Sequence, residues 1–290
     1  LNFAVLGPGK MGTALTLALM ELGHTAIAAC ARTGGTPASQ RFMEATGVPV
    51  VPLEAFSDAV RRAEMILLTV PDKAVTPMAQ TLADTGWIRG GQLVVHTAGS
   101  LSANALGPVM SLGAAALCMH PLQTIARPEL GAALFRGIHF TLDGHPNAVA
   151  MASDWIHAWG GTPLPMDPEQ RPAYHAAAVL ASNALVALAA VAAEVSGLPD
   201  GLRALLPLLR GAVDNLSALG LPDALTGPIE RGDTATIEAH LRALQNNPTA
   251  LSVYAALGKA TADVAFSKGS LTPTARETLR HRFENILGGM

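Results

Sequence analysis

Charge is scarce in this chain of 290 residues, and the cationic side chains it has are scattered. Only 14% of residues are charged, the formal net charge is −3, and no run of Lys and Arg forms a basic stripe. Nucleic acid is therefore not expected as a partner, since a polyanion needs a concentrated positive surface. Cysteine is almost missing too. Cys30 and Cys118 each sit in an apolar run that reads as a strand, so buried reduced thiols are expected rather than a disulfide framework. Such thiols fit a cytoplasmic protein, and a strand beginning at residue 2 leaves no place for a signal peptide.

Other signatures are absent as well. His120, His139, His145 and His157 show no zinc-like pairing and the two cysteines are far apart, so no metal is expected. No Gly-x-Ser-x-Gly elbow appears, which argues against a serine hydrolase. Ala176 to Ala193 carries no charge and reaches the length of a membrane span. It is mostly Ala, contains Ser182 and Asn183, and lacks basic flanks and interfacial Trp. A buried helix of a soluble protein is expected there, with no membrane partner.

What the chain does have is half its residues apolar and enough length for two domains with cores of their own. Phe3-Ala4-Val5-Leu6 reads as a short buried strand running into Gly7-Pro8-Gly9-Lys10-Met11-Gly12, after which Thr13 to Leu22 continues as an apolar helix. Gly-x-Gly-x-x-Gly between a strand and a helix is the arrangement that binds a dinucleotide pyrophosphate. Gly7 permits the turn, Gly9 lets the backbone approach the phosphates, and Gly12 lets helix and strand pack closely. The helix N-terminus then presents unpaired N–H groups and a positive dipole end to an anion. A purely structural glycine turn is the duller alternative.

Thr25 to Ala31 reads as the second strand, ending at Arg32-Thr33. In NAD-binding versions of this arrangement an acidic residue near here holds the ribose hydroxyl. No carboxylate occurs between Gly23 and Glu44. Arg32 and Thr33 instead offer donors suited to a 2′-phosphate, so NADP(H) is the expected cofactor.

Further strands are expected at Val48–Val50, Met65–Val70, Gln92–His96, Ala114–Met119, Ile138–Leu142 and Thr162–Met166. Helices are expected at Ala38–Thr46, Glu54–Arg62, from about Lys73, and over Pro146–Trp159. This alternation predicts a Rossmann-type, doubly wound, mostly parallel α/β sheet. Val70-Pro71 and Thr97-Ala98 end two of its strands at the carboxyl edge, where such sheets bind ligands. From Asp167 strand-like runs stop. Helices are expected over about 168–196, 200–219, 234–245, 248–268 and 273–287, giving domains 1–166 and 167–290. Asp233 in Arg231-Gly232-Asp233 reads as a helix cap.

The ordering resembles the reductases related to pyrroline-5-carboxylate reductase, ketopantoate reductase and the β-hydroxyacid dehydrogenases, which share a 6-phosphogluconate dehydrogenase-like pairing of a Rossmann domain with an all-helical one. Met11 within the glycine loop and Ala98-Gly99 after a strand carry that likeness. A nearer likeness is to a bacterial Rossmann-like family with a C-terminal domain of unknown function. It rests on His120-Pro121-Leu122-Gln123-Thr124, Tyr174-His175-Ala176-Ala177-Ala178 with Ser182-Asn183, Leu225-Thr226-Gly227-Pro228-Ile229, Arg231-Gly232-Asp233 and His240-Leu241. The resemblance implies an NADP-dependent oxidoreductase and dimerisation through the helical domain.

One departure matters. Hydroxyacid dehydrogenases of this group carry a Lys four residues before the helix Asn, and Val179 stands at that place here. Without it, His120, His175, Ser182 and Asn183 are the candidate catalytic residues, with the Thr97 and Ser100 hydroxyls beside them. On one continuous helix, His175, Val179, Ser182 and Asn183 would share an arc of roughly 100°. The expected activity is NADPH-dependent reduction of a small keto acid or imine at a cleft between the domains. The rival is an NADP(H)-binding regulatory or scaffold protein without turnover; a deazaflavin-linked enzyme is a third option.

Overall fold

A computed structural model describes residues 1–31 and 35–289. The chain forms two compact units, Leu1–Val179 and Leu180–Met290.

The first unit is built on β1 (Asn2–Leu6), β2 (Thr25–Cys30), β3 (Val50–Val51), β4 (Met65–Leu68), β5 (Leu93–His96), β6 (Ala115–Pro121), β7 (His139–Gly144) and β8 (Thr162–Pro165). They form one sheet in the order β3-β2-β1-β4-β5-β6-β7-β8. Every neighbouring pair is parallel except β6 with β7. The strands are apolar on both faces because helices cover both. Phe3, Val5, Met65, Leu67, Val95 and Leu117 pack to one side, under α1 (Lys10–Glu21), α2 (Pro37–Thr46) and α6 (Pro146–Ala158). The alternate residues Ala4, Leu6, Ile66, Leu68, Val94 and Cys118 pack to the other, under α3 (Leu53–Arg62), α4 (Asp72–Asp84) and α5 (Gly107–Met110).

The antiparallel step has a local cause. A parallel neighbour needs a crossover across the sheet face, usually a helix. Between β6 and β7 the chain makes only a 3₁₀ segment, Pro128–Phe135, whose Gly131 (φ 52°) lies against Leu17 of α1. The return therefore stays beside β6 and runs the other way. Both free cysteines are buried in strands, as expected.

Strands end with β8, yet the first unit continues through α7 (Arg171–Ala181) as far as Val179. The boundary read at 166/167 marks the end of the sheet, whereas the compact units divide within α7, because Arg171 is fully buried against the sheet. The single long helix expected over 168–196 is corrected. Ser182 takes φ −122° and ψ −75°, ending α7 and beginning α8 (Asn183–Val195). The arc drawn through His175 and Asn183 does not extend across that break.

The second unit contains α8, α9 (Gly201–Leu219), α10 (Thr234–Leu244), α11 (Pro248–Ser267) and α12 (Pro273–Gly288). Its core joins Ile237, Leu241, Ala255, Ala262, Leu279 and Phe283. Gly258 of α11 admits the Phe283 ring, which would lie 2.6 Å from an added Cβ. Asp233 caps α10, accepting from the Thr236 N–H at 3.1 Å. The expectation of a buried helix at 176–193 fails here: no residue of α8 is buried. Pro168–Val195 has the length and apolarity of a membrane span by composition, with the interruption at Ser182 in its middle.

Candidate active site

The carboxyl ends of β1, β4, β5 and β6 lie along one edge of the sheet, because these strands are parallel. Two groups of residues meet the criteria for a site along that edge.

At the end of β1, Gly7 takes φ +101°, and its carbonyl accepts from Thr69 Oγ1 at 2.6 Å. A Cβ on Gly7 would sit 2.7 Å from the Thr69 carbonyl oxygen, so only glycine fits. Gly12 is as confined: its Cβ would overlap the Gly7 carbonyl oxygen and come 2.6 Å from Thr69 Oγ1. Gly9 differs, with nothing within 4 Å of its Cβ position. It is the N-cap of α1, and no side chain caps that helix. The backbone is thus bare where a phosphate would approach, and the first N–H groups of α1 are free to receive it. An adjoining cavity of about 420 Å³ is lined by Pro8, Gly9, Lys10, Thr13, Arg41 and Ala126, among others. These residues fit a dinucleotide pyrophosphate. Met11 is half-buried and packs on the core beside the loop. Arg32 and Thr33 lie outside the described residues. Val70 and Pro71 follow β4, Pro71 as the N-cap of α4.

The second group is a polar layer on the face of β5, β6 and β7. Strand register puts His96 opposite Cys118, Cys118 opposite Asp143, and His120 opposite Thr141, so their side chains point the same way. Against this layer α7 turns Arg171, Tyr174 and His175, whose spacing of three and four places them on one helical face. Arg171 Nε pairs with Asp143 Oδ2, and the other Asp143 oxygen accepts from the Ala103 N–H at 2.6 Å. Arg171 is fully buried, and its Nη1 and Nη2 have no hydrogen-bond partner among the described residues.

His120 Nδ1 is 2.9 Å from the Tyr174 hydroxyl, and its ring stands edge-on to His175 with centroids 5.9 Å apart. Both imidazoles lean over Gly99. A Cβ there would be 2.8 Å from His120 Nε2 and would overlap His175 Nδ1, itself unpartnered. Burial, then the neighbouring His175 and Arg171 charges, push His120 down to about 4. It is neutral at physiological pH. Burial holds the Tyr174 phenol above the usual range.

His96 is satisfied within the fold. Its Nδ1 accepts from the Ala98 N–H at 3.2 Å, so Nε2 carries the proton donated to the Ser102 carbonyl at 3.0 Å. Thr97 and Ala98 begin the loop that carries Gly99, and Ser100 donates to Asp72 Oδ2 at 2.7 Å. Of the four expected catalytic residues, the structure brings His120 and His175 together. Ser182 and Asn183 belong to the other compact unit, where Ser182 Oγ donates to Asn183 Oδ1 at 3.0 Å. Among the described residues no group of His, Cys, Asp and Glu is arranged to hold a metal ion.

Sequence reasoning passed over Arg171 and Asp143, and used Tyr174 only as part of a motif. The available signal was the i, i+3, i+4 spacing of Arg171, Tyr174 and His175. Beside Pro172, Arg171 looks like a solvated first-turn residue, and its partner is 28 positions away.

The fold is a Rossmann-type α/β unit followed by a helical second unit. Residues 1–121 match the family of the Rossmann-like domain, and residues 138–261 match the Domain of unknown function DUF2520. These are the two domain types whose pairing its motifs resemble. The chain is similar in structure to a presumptive NADP oxidoreductase from Bacteroides fragilis, with TM-score 0.71, 23% identity, and 90% of this chain and 97% of that one covered. Protein TM1727 from Thermotoga maritima gives 0.68 at 22% identity, covering 92% and 99%. An imine reductase from a Pseudomonas species gives 0.61 at 19% identity, covering 96% and 98%. Likeness at these identities speaks for the fold. No curated protein matches the sequence.

Proposed function

We propose that this protein is a nicotinamide-dependent reductase that takes NADP(H) and reduces a small keto acid or imine. The observation carrying this reading is that a bare, glycine-lined helix N-terminus and a paired-histidine cluster share one edge of the same sheet. Bound there, the nicotinamide supplies the hydride. The chain itself holds the pyrophosphate at Gly9 and α1, and presents His120 and His175 beside the Thr97–Gly99 loop. The lack of a carboxylate between Gly23 and Glu44, with Arg32 and Thr33 in its place, supports NADP(H) over NAD(H). The structures it resembles include an imine reductase and a presumptive NADP oxidoreductase, which supports the same class.

Fluorescence titration with NADPH and NADH tests the cofactor, with tighter binding of NADPH expected and that preference lost in Arg32→Asp. No NADPH binding removes the proposal. NADPH consumption across ketopantoate, pyrroline-5-carboxylate and a panel of 2-keto acids tests the reaction. The absent lysine, with Val179 in its position, favours a second reading as a cofactor-sensing protein. NADPH binding without turnover across a broad panel, with a partner retained only in its presence, would select it.

The same proposal includes a cytoplasmic homodimer formed through the second unit. Leu180, Val186, Leu208 and Leu221 are 70–72% exposed, and a groove between α8 and α9 is lined by Leu185, Val186, Leu202, Leu206 and Val213. The charges lining that groove, Arg210 and Asp214, are opposite in sign, which suits a two-fold contact of the surface with itself. Sedimentation should give a dimer in aqueous buffer; partition of the chain into detergent or vesicles would assign the surface to a membrane instead.

A further inference from the structure

His120 is neutral at physiological pH, so it does not give a reduction its proton as an imidazolium. Geometry nevertheless joins it to a second acid. The Tyr174 hydroxyl oxygen lies 2.9 Å from His120 Nδ1, while Nε2 points the other way, toward Gly99 and the loop that follows β5. Arg171, one turn before Tyr174 on the same helical face, is locked by Asp143 through Nε and leaves Nη1 and Nη2 unpartnered. A buried guanidinium with free donors is costly unless something in its surroundings uses the charge.

We propose that His120 Nε2 delivers the proton to the substrate and that Tyr174 replaces it through Nδ1, with the buried Arg171 guanidinium facing the phenolate that results. This rests on the reductase reading above. The reduced nicotinamide dinucleotide supplies the hydride to the C=O or C=N carbon. The heteroatom takes the proton from Nε2 as Nδ1 takes the phenolic proton. His120 ends neutral with its proton on Nδ1, and Tyr174 ends as tyrosinate. Once product leaves, Nε2 takes a proton from water and Nδ1–H returns its own to the phenolate, so one solvent proton is consumed per turnover.

His120 touches substrate and is the catalytic residue. Tyr174 and Arg171 are positioning residues. The same couple explains why a neutral imidazole is useful here: only a ring with Nδ1 unprotonated can receive from Tyr174. The groups acting on His120 are Tyr174, His175 and Arg171 on α7, Asp72 on α4 and His96 on β5, and none is placed to make it a cation near pH 7.

The full-length protein without cofactor provides the first test, by nitrogen-detected histidine NMR. His120 should hold its proton on Nε2, and Tyr174→Phe should shift the tautomer ratio by at least threefold. A proton on Nδ1 in the wild type, donated to the tyrosine oxygen, would overturn the relay, since Nε2 would then have nothing to give. The chain has two tyrosines, so ultraviolet titration of Tyr254→Phe reports Tyr174 alone. Its phenol should titrate above 10.0, and higher still in Arg171→Met; no change there would remove the guanidinium from the scheme. With a turned-over substrate, Tyr174→Phe should lower kcat by about a hundredfold and leave NADPH affinity within about twofold. The wild-type rate should stay flat from about pH 5.5 to 9, whereas a histidine acid of ordinary pKa would lose rate above about 6.5. Absence of turnover with every substrate counts against the reductase reading, while the tautomer decides the couple on its own.

Discussion

Gly9 and Gly12 stand in one loop under opposite constraints, and substituting alanine at each separates binding from folding. At Gly9 the backbone has φ −85° and ψ −168°, extended values any residue adopts, and the added methyl meets nothing within 4 Å. A small loss in capping is offset by a gain of about 0.4–1 kcal/mol from a less flexible unfolded chain. Gly9→Ala should therefore change stability by less than about 1 kcal/mol. Its methyl does occupy the face by which a pyrophosphate approaches α1. NADPH affinity should fall at least tenfold, about 1.4 kcal/mol. At Gly12 the methyl overlaps the Gly7 carbonyl oxygen and lies 2.6 Å from Thr69 Oγ1, so strand and helix must separate. Overpacking of this kind costs about 1–3 kcal/mol. Urea unfolding and NADPH fluorescence titration, run on both variants, read the two effects. A folded Gly9→Ala protein that binds NADPH as the wild type does would refute the placement of the phosphates at this loop. Unchanged stability in Gly12→Ala would refute the close packing.

The depressed His120 pKa makes stability depend on pH. The unfolded ring takes a proton below about 6.5 and the folded one only near 4, so stability is complete above 6.5 and falls through that window as pH drops, by about 3 kcal/mol at most. Urea midpoints at pH 7 and pH 4.5 should show that loss in the wild type, and His120→Gln should flatten it. Asp143→Asn strands the fully buried Arg171 guanidinium and should cost about 3–5 kcal/mol in the same assay; a loss under about 1 kcal/mol would show that water reaches that layer. Val186→Glu with Leu206→Glu places charge on the exposed α8–α9 groove and should convert a dimer to monomer by sedimentation with little change in the unfolding midpoint.

Local signals made most of the elements legible. β1, β4 and β5 are short apolar runs bounded by turn residues, and helices such as α2 and α11 open on Pro after a capping side chain. The glycine loop was readable for the same reason, since its constraints come from residues within it and from the strand beside it. Two errors in the reading also have local causes. An Ala-rich stretch signals helix without signalling what covers it, so it reads as core although no residue of α8 is fully buried among the described residues. The break at Ser182 left no Gly or Pro to announce it.

By itself, then, the sequence determined the alternation of strands and helices, the glycine loop between β1 and α1, and the Asp233 cap, because each depends on contacts within a few residues. Tertiary structure alone decided the antiparallel β7, the extension of the first unit through α7, and the layer joining His120 to Tyr174 and Arg171 to Asp143. Those partners lie 54 and 28 positions apart, and they meet because the β6–β7 register lines up His120 and Asp143 on one face, against which α7 packs. A side chain's neighbours across a sheet are set by that register, which no single stretch of chain encodes.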